Sequence, residues 1–267
     1  MLYLLDVAVI FLGLIFGSFI NCLVWRLYNN ESIMGRSYCP KCRAQIHFYD
    51  NIPILSFLFL RGKCRACDQK ISWQYPIVEA VSGLLFFLAF YQYLNAQLAV
   101  GLNLFDLINS LSFWLVIAKR WLAIIIFLAI FIHDGRWYEI PLNLIIVAGV
   151  LFLGLNLLLG YNFWTMILVG ATGAAFFALQ FIITRGRGLG EGDIWIGGLM
   201  GLMFAEIGQL AIALFIAYVF GALISVGLLA SGKKKMKSAL PLGVFLAIGT
   251  LVTIIWSSEI ITAFLSI

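Results

Sequence analysis

The sequence predicts an all-α polytopic membrane protein with about eight transmembrane helices and a cytoplasmic zinc-knuckle insertion. Of its 267 residues, 63% are hydrophobic and 11% are charged, whereas a soluble domain is about half apolar and a quarter charged. The apolar residues form continuous runs, which differ from the short alternating segments of a transmembrane barrel. The first run lacks a basic start and a small-residue cleavage site, so we expect no cleavable signal.

Eight apolar segments account for most of the chain. The first covers residues 1–25 and the second residues 76–94, with a proline at a tolerated first-turn position. Residues 96–111 are apolar but interrupted by polar side chains, which predicts a loop or an interfacial helix. The other six segments are residues 112–133, 141–159, 164–184, 194–204, 207–230 and 239–264. The segment 194–204 is far shorter than the ~20 residues of a full span, so it is predicted to be a half-helix or a tilted, partly sheltered helix.

The positions of the basic residues predict the topology. If the polar insertion at residues 26–75 is cytoplasmic, fifteen of the seventeen Lys and Arg lie inside, including the basic run at residues 233–237. Lys119 and Arg120 are the two that disagree. The positive-inside rule therefore favours eight segments with both termini outside. The net charge of +5 reflects these loops, and we expect lipid contacts and no nucleic-acid partner.

The insertion carries two Cys-x-x-Cys pairs. Cys39 and Cys42 form the first pair, and Cys64 and Cys67 form the second. Four thiolates at this spacing suit a closed structural zinc site, with no position left for a catalytic water. Two disulfides or four free thiols are the alternatives, and a reducing cytoplasm disfavours the disulfides. A loop of this size has little core of its own, so the metal would supply much of its folding energy. Cys22, in the first segment, is interpreted as a packing residue.

Two aspartates at the ends of apolar segments are the candidate catalytic residues. An ionisable group beside a spanning segment is costly, which favours a functional interpretation of Asp134 and Asp193. The predicted topology places both at the cytoplasmic face. Asp193 follows Gly190 and Gly192, which permit positive φ and would let another backbone lie against this turn. A helix N-cap for Asp193 and a plain helix-end position for Asp134 are the alternatives. Three other acidic residues compete for the role: Glu79, Glu139 and Glu191.

Two neighbouring carboxyl groups support one particular chemistry. They share a proton, so that the ionised group activates water while the protonated group polarises a scissile carbonyl. This is aspartic peptide hydrolysis, without a metal or a covalent intermediate. Asp193 is predicted at a helix N-terminus, where the dipole favours the anion, and Asp134 at a helix C-terminus. We therefore expect Asp134 to carry the shared proton. His133 is interpreted as an interfacial histidine, with modulation of Asp134 as the alternative.

Six motifs in chain order are similar to those of the bacterial type IV prepilin peptidases, the membrane aspartic peptidases of the Gly-x-Gly-Asp type. The resemblance covers most of the chain. The motifs are Gly-Ser-Phe-Ile-Asn at 17–21; the cysteine pairs with Tyr-Asp-Asn-Ile-Pro at 49–53 and Leu-Arg-Gly-Lys-Cys-Arg at 60–65; Tyr-Pro-Ile-Val-Glu at 75–79; Asp134 with Ile-Pro-Leu at 140–142; Gly-Glu-Gly-Asp at 190–193; and Leu-Pro-Leu-Gly-Val-Phe-Leu-Ala at 240–247.

The resemblance implies a concrete activity. Such enzymes remove the basic leader of type IV prepilins and type II secretion pseudopilins at the cytoplasmic face of the bacterial inner membrane. Asp134 and Asp193 match the catalytic pair. Members with the cysteine insertion also N-methylate the new terminus from S-adenosylmethionine, for which no site residue is implied here. The chain then divides into a first transmembrane helix (1–25), a cytoplasmic zinc-binding domain (26–75) and a transmembrane aspartic peptidase domain (76–267).

Two departures from the family pattern accompany this interpretation. The family's lysine two residues after the second aspartate is Trp195 here, and its apolar residue before the first aspartate is His133. Three different kinds of protein also remain compatible with the sequence. A polytopic transporter would use 194–204 as a broken helix. A non-catalytic membrane protein would keep the zinc loop for structure alone, and a presenilin-like peptidase would share the Gly-x-Gly-Asp motif. The sequence carries no indication of oligomeric state.

Overall fold

The computed structural model describes residues 2–231 and 240–265, with the backbone alone at 257–259 and 261–265. The basic run at 233–237 lies outside these residues. The chain divides into two compact units, Met1–Leu94 (the N-terminal unit) and Asn95–Ile267 (the C-terminal unit). The helices of the described residues are α1 (Leu2–Tyr28), α2 (Leu55–Phe59), α3 (Gln74–Ala99), α4 (Leu104–Asn109), α5 (Leu111–Trp137), α6 (Leu142–Leu158), α7 (Phe163–Thr184), α8 (Glu191–Phe204), α9 (Ile207–Ala230) and α10 (Leu242–Leu265).

The all-helical class is confirmed over the part of the chain that the structure describes, where extended pairing is limited to isolated bridges. Five helices are long and apolar enough to cross a membrane: α1, α3, α5, α7 and α9. Helix α6 is shorter, and α10 departs from helical geometry at Trp256 (φ −118°, ψ 18°), which leaves a first part of Leu242–Trp256. The structure thus gives five full-length candidates where the sequence predicts eight segments.

Residues 96–111 contain a short helix. Helix α3 continues to Ala99, the chain turns at Gly101, and α4 occupies Leu104–Asn109 with Leu107 as its one buried residue. Helix α5 then begins at Leu111. The segment is therefore neither a plain loop nor one continuous helix: loop residues lead into the short α4, whose side chains are exposed or half-buried apart from Leu107.

Helix α8 lies at the centre of the C-terminal unit, packed against α6, α7, α9 and α10. Its closest neighbour is α7, because glycines face each other where the two helices cross. A Cβ atom at Gly197 would lie 2.6 Å from the carbonyl oxygen of Gly173. Small residues at such crossings let two backbones approach within van der Waals contact, which drives helix association in lipid.

The C-terminal end of α8 is satisfied by a buried side chain. The amide of Asn156, on α6, donates hydrogen bonds to the carbonyl oxygens of Leu202 (2.7 Å) and Met203 (3.3 Å). The last carbonyls of a helix have no partner within it, and lipid offers none. Asn156 therefore allows α8 to end among protein after only 14 residues.

Lys119 interrupts the apolar face of α5 without being isolated. Its ammonium lies 4.8 Å from the ring centroid of Tyr161, and Glu206 attracts it electrostatically. Tyr161 lies between α6 and α7, and Glu206 between α8 and α9. These contacts define a polar layer at one end of the unit, opposite Asp134.

Candidate active site and cysteine cluster

Asp134 lies in the last turn of α5 and is held by the start of α10. Its side chain is 5% exposed, and its Oδ2 atom accepts a hydrogen bond from the backbone N–H of Val244 at 3.2 Å. The backbone N–H of Gly243 also favours the charged form of this carboxyl group. Because α10 begins at Leu242, both N–H groups belong to the first turn of that helix, whose unpaired amides favour an anion.

Gly243 is a contact point of three helices. A Cβ atom there would lie 2.7 Å from Oδ2 of Asp134 and 3.2 Å from Cδ1 of Ile196. Ile196 follows Asp193 by one turn of α8. Only glycine therefore allows α10 to approach α5 and α8 at the level of the two aspartates. Sequence reasoning places Gly243 and Val244 in a family motif but gives them no role, although a proline and a glycine at a helix start indicate a constrained N-terminus.

Asp193 is fixed by the beginning of its own helix. It is buried (5% exposed), and its Oδ2 atom accepts the backbone N–H of Gly190 at 3.0 Å. Helix α8 begins at Glu191, with Gly190 as the N-cap residue. Asp193 is therefore the third helical residue and not the N-cap. Gly190 has φ −81°, an ordinary extended conformation, so this turn does not need the positive φ that glycine permits.

Gly192 is required for a close approach. A Cβ atom on it would lie 2.5 Å from Cδ1 and 2.9 Å from Cβ of Ile140. Ile140 belongs to the segment that follows Asp134, so the two candidate motifs lie against each other. The neighbour at this glycine is a side chain and not the backbone that the sequence suggests. The two carboxyl groups interact electrostatically, since the charge of Asp134 acts on Asp193.

The turn after Asp134 is closed by two local hydrogen bonds. Nδ1 of the buried His133 lies 2.7 Å from the carbonyl oxygen of Glu139. Tyr138 takes a left-handed conformation (φ 57°) and donates its N–H to the carbonyl oxygen of Asp134 at 2.9 Å. His133 is thus buried against protein and in contact with the turn, and its position at the membrane interface stays a prediction. Trp195 is 52% exposed on α8.

The competing acidic residues have different surroundings. Glu139 and Glu191 are exposed. Glu79 is buried in the N-terminal unit, where its Oε2 atom accepts the N–H of Ile54 at 2.7 Å. Asp134 and Asp193 are the buried carboxyl groups of the C-terminal unit among the residues with described side chains.

The prediction that Asp134 carries the shared proton rests on a difference between two helix ends. Asp134 lies at the C-terminus of α5 and Asp193 at the N-terminus of α8, where the dipole favours the anion. The structure adds α10, whose first-turn amides of Gly243 and Val244 face Asp134. Both carboxyl groups therefore lie at a helix N-terminus, and the dipoles do not distinguish them.

The four insertion cysteines form one cluster. Their Sγ atoms all lie within 4.8 Å of one another, and those of Cys39 and Cys67 are 4.0 Å apart. The two pairs have the same local geometry, because the N–H of Cys39 donates to Ala44 and that of Cys64 to Gln69, each at 2.9 Å. No disulfide joins them. A closed set of four thiols at this spacing fits a tetrahedral zinc ion.

An ion pair braces the second knuckle. Arg65, between Cys64 and Cys67, donates two hydrogen bonds to the carboxylate of Asp50, at 2.8 Å from Nε and 2.6 Å from Nη2. Its guanidinium also lies 5.5 Å from the ring centroid of Tyr49. The hydrogen bonds from Arg65 hold the pKa of Asp50 below its usual value. This pairing joins the cysteine cluster to the short 3-10 helix Phe48–Asn51.

Comparison with known proteins gives consistent matches. Residues 11–93 match the Bacterial Peptidase A24 N-terminal domain. The chain is 30% identical to a prepilin leader peptidase/N-methyltransferase of Bacillus subtilis, over 98% of each chain. It is 29% identical to a protein of the same name from Pseudomonas putida, over 97% of this chain and 92% of that one. It is 31% identical to a type 4 prepilin-like proteins leader peptide-processing enzyme of Escherichia coli, over 91% and 90%. No solved structure matches.

The full-length agreement with the Bacillus subtilis protein extends across both units described above, beyond the N-terminal match at residues 11–93. The chain therefore belongs to the bacterial prepilin leader peptidase/N-methyltransferase family.

Proposed function

We propose that the chain is an aspartic endopeptidase that cleaves the leader peptide of type IV prepilins, with Asp134 and Asp193 as the catalytic pair. One observation carries the assignment of residues. Two buried carboxyl groups, on helices far apart in sequence, each accept a backbone N–H at a helix N-terminus: Asp134 from Val244 of α10 and Asp193 from Gly190 before α8. Hydrogen bonds of this kind fix a carboxyl group in one orientation before the substrate arrives.

The proposed chemistry uses one proton shared by the pair. The ionised carboxylate removes a proton from a water molecule as its oxygen attacks the scissile carbonyl, and the other carboxyl group donates its proton to the carbonyl oxygen. The C–N bond of the tetrahedral intermediate then breaks as the leaving amine receives a proton from the first aspartic acid, and a hydroxyl of the intermediate returns a proton to the second carboxylate, which restores the shared proton of the pair. Gly190, Gly192, Gly243 and Val244 serve as positioning residues.

The substrate fits this placement of the pair. A prepilin has a basic leader and an apolar stem, so the stem can lie in the bilayer while the leader stays in water. We propose a multi-pass arrangement of eight segments in the bacterial inner membrane, with Asp134 and Asp193 at the cytoplasmic face. Glu139 and Glu191 are exposed beside the pair, and their charges suit a basic leader. Type II secretion pseudopilins, which share this plan, are included as substrates.

We assign a structural zinc ion to Cys39, Cys42, Cys64 and Cys67. When bound, the ion would cross-link the two knuckles. It would hold no catalytic water, because four thiolates complete its tetrahedral shell. The insertion at 26–75 then folds around the metal as a cytoplasmic domain, between a first transmembrane helix at 1–25 and a peptidase domain at 76–267.

The relatives' name includes an N-methyltransferase activity, which we extend to this chain with S-adenosylmethionine as the methyl donor. The described residues do not identify a site for this donor. The buried carboxylate of the N-terminal unit, Glu79, is already bonded to the Ile54 amide. No residue is therefore assigned to methyl transfer, and no step is derived through the donor.

The test is cleavage of a purified prepilin by the detergent-solubilised protein. Asp134→Asn and Asp193→Asn keep the shape of each side chain but remove the acid, so each is expected to lower kcat by a factor on the order of 10⁴. Asp106→Asn alters an exposed aspartate of the same unit and is expected to cleave normally. Cleavage that persists in Asp193→Asn would refute the aspartic mechanism. Loss of cleavage in Asp106→Asn as well would show that the assay reports folding instead.

A further inference from the structure

Helix α2 of the insertion exposes a cluster of large apolar side chains. Leu58 is 62% exposed and Phe59 is 82% exposed, with Leu55 also at the surface. Phe57, on the same short helix, packs instead against Trp73, with ring centroids 4.9 Å apart. The helix therefore turns one side chain towards protein and presents three others outward. These three residues are the apolar edge of α2.

A hydrogen bond anchors the start of α2 to α3. The N–H of Ile54 donates to Oε2 of the buried Glu79 at 2.7 Å. Ile54 has φ 60° and ψ −49°, a conformation that a β-branched residue adopts only when its surroundings enforce it. The bond to Glu79 and the contact of Phe57 with Trp73 thus fix both halves of α2 beside the first turns of α3.

This position coincides with the point where a membrane span begins. Helix α3 starts at Gln74 and is long and apolar enough to cross a membrane. Glu79 is five residues further on, which is about 7.5 Å along the helix axis. Trp73, directly before the helix, is 68% exposed, and tryptophan is enriched at the membrane–water interface. The apolar edge of α2 is therefore tethered at the height where α3 enters the bilayer.

The charges around the edge suit a lipid surface. Arg61 and Lys63 follow α2 directly, and both are exposed. Basic side chains beside an apolar helix face are attracted to anionic headgroups while the apolar residues enter the acyl boundary.

We propose that α2 is an interfacial anchor, in which Leu55, Leu58 and Phe59 insert into the bilayer and Arg61 and Lys63 contact anionic phospholipid headgroups. The anchor holds the cysteine insertion against the membrane surface. It is independent of the peptidase assignment, because it uses neither aspartate.

The experiment places the photoreactive residue p-benzoylphenylalanine at position 59, in the full chain reconstituted into vesicles of phosphatidylcholine and phosphatidylglycerol. After irradiation, mass spectrometry identifies what position 59 has captured. The control places the same residue at Lys41, which is exposed on the first knuckle. We expect about 10-fold more phospholipid adduct at 59 than at 41, because an immersed side chain contacts acyl chains. Equal yields, or capture of protein at 59, would overturn the proposal; cross-linked dimers would assign the edge to a second copy.

A second arm tests the charges. Replacing Arg61 and Lys63 by Gln in the position-59 variant is expected to reduce the yield of phosphatidylglycerol adduct relative to phosphatidylcholine adduct. An unchanged ratio would contradict the role of these two residues. The bound zinc is measured in every variant, so that a lost adduct caused by an unfolded insertion is recognised.

Discussion

Substituting Gly243 by Ala tests how closely the aspartates depend on α10. The added Cβ atom would lie 2.7 Å from Oδ2 of Asp134, whereas ordinary contacts begin at 3.4 Å. The carboxyl group or the helix must therefore move by about 0.7 Å, the difference between these distances. The new methyl group cannot move far towards α8, because it would already lie 3.2 Å from Cδ1 of Ile196. A misplacement of about 1 Å can cost about 100-fold in rate.

We therefore expect kcat/KM for prepilin cleavage to fall roughly 30- to 100-fold in Gly243→Ala, which corresponds to about 2 to 2.7 kcal/mol of transition-state stabilisation. The matched control is Gly154→Ala on α6, where a Cβ atom would meet nothing within 4 Å. That variant should cleave normally and be slightly more stable, since alanine favours the helix. Thermal unfolding in detergent separates an inactive folded protein from an unfolded one. A folded Gly243→Ala variant that cleaves within about threefold of the wild type would refute the reasoning, because the displacement predicts a larger loss.

The remaining predictions concern the glycines of α8 and the insertion. Gly192→Ala should lower the cleavage rate about 10-fold or more, because its Cβ would enter the side chain of Ile140. Gly190→Ala keeps the backbone N–H that holds Asp193, and its Cβ would lie 3.8 Å from the nearest atom, so it should lower the rate about twofold at most. Equal losses in parallel assays would contradict this. Cys64→Ser should lose the zinc, measured by mass spectrometry of the purified protein, and make the insertion sensitive to protease; a metal-free insertion that resists protease would speak against a structural ion. Asp50→Asn should lower the stability of the zinc-loaded insertion at pH 7. The lowered pKa of Asp50 means that its contribution persists above the usual value near 3.9 and fades only as pH falls through the lower one. The deficit followed by circular dichroism should thus be the same at about pH 6 as at pH 7, a range in which the thiolates still hold zinc, and its disappearance at about pH 6 would argue against the pairing with Arg65.

Local spacing made the cysteine cluster predictable. The two Cys-x-x-Cys loops each set their own geometry within a few residues, and the four Sγ atoms meet within 4.8 Å. The charge pattern of the sequence predicts both segment ends at one face and therefore Asp134 near Asp193, and in the structure the two carboxyl groups interact electrostatically. These features depend either on neighbours in sequence or on a rule that acts on whole segments.

The remaining contacts depend on packing that no local pattern encodes. Val244 bonds Asp134 across 110 positions of the chain, so its role appears only when α10 is placed against α5. The same holds for Asn156, whose neighbours at the end of α8 are 46 and 47 positions away. Helix α8 begins at Glu191, three residues before the apolar segment 194–204, because the extended backbone of Gly190 allows Glu191 and Gly192 to begin the helix.

The shortness of α8 has a consequence for the lipid around the enzyme. Its 14 residues span about 21 Å, and the fifteen residue steps from Lys119 to Asp134 on α5 span about 22 Å. Around α8, the polar groups at the two ends are therefore some 8 Å closer together than the ~30 Å hydrocarbon thickness of a typical bilayer, whereas α7 and α9 of the same unit are long enough to cross it. A local mismatch of this kind is met by thinning the bilayer, at a cost of fractions of a kcal/mol per Å. Acyl-chain length thus becomes a determinant of the enzyme's surroundings: shorter chains bring headgroups and water to the level of Asp134 and Asp193, and longer chains bury them in hydrocarbon.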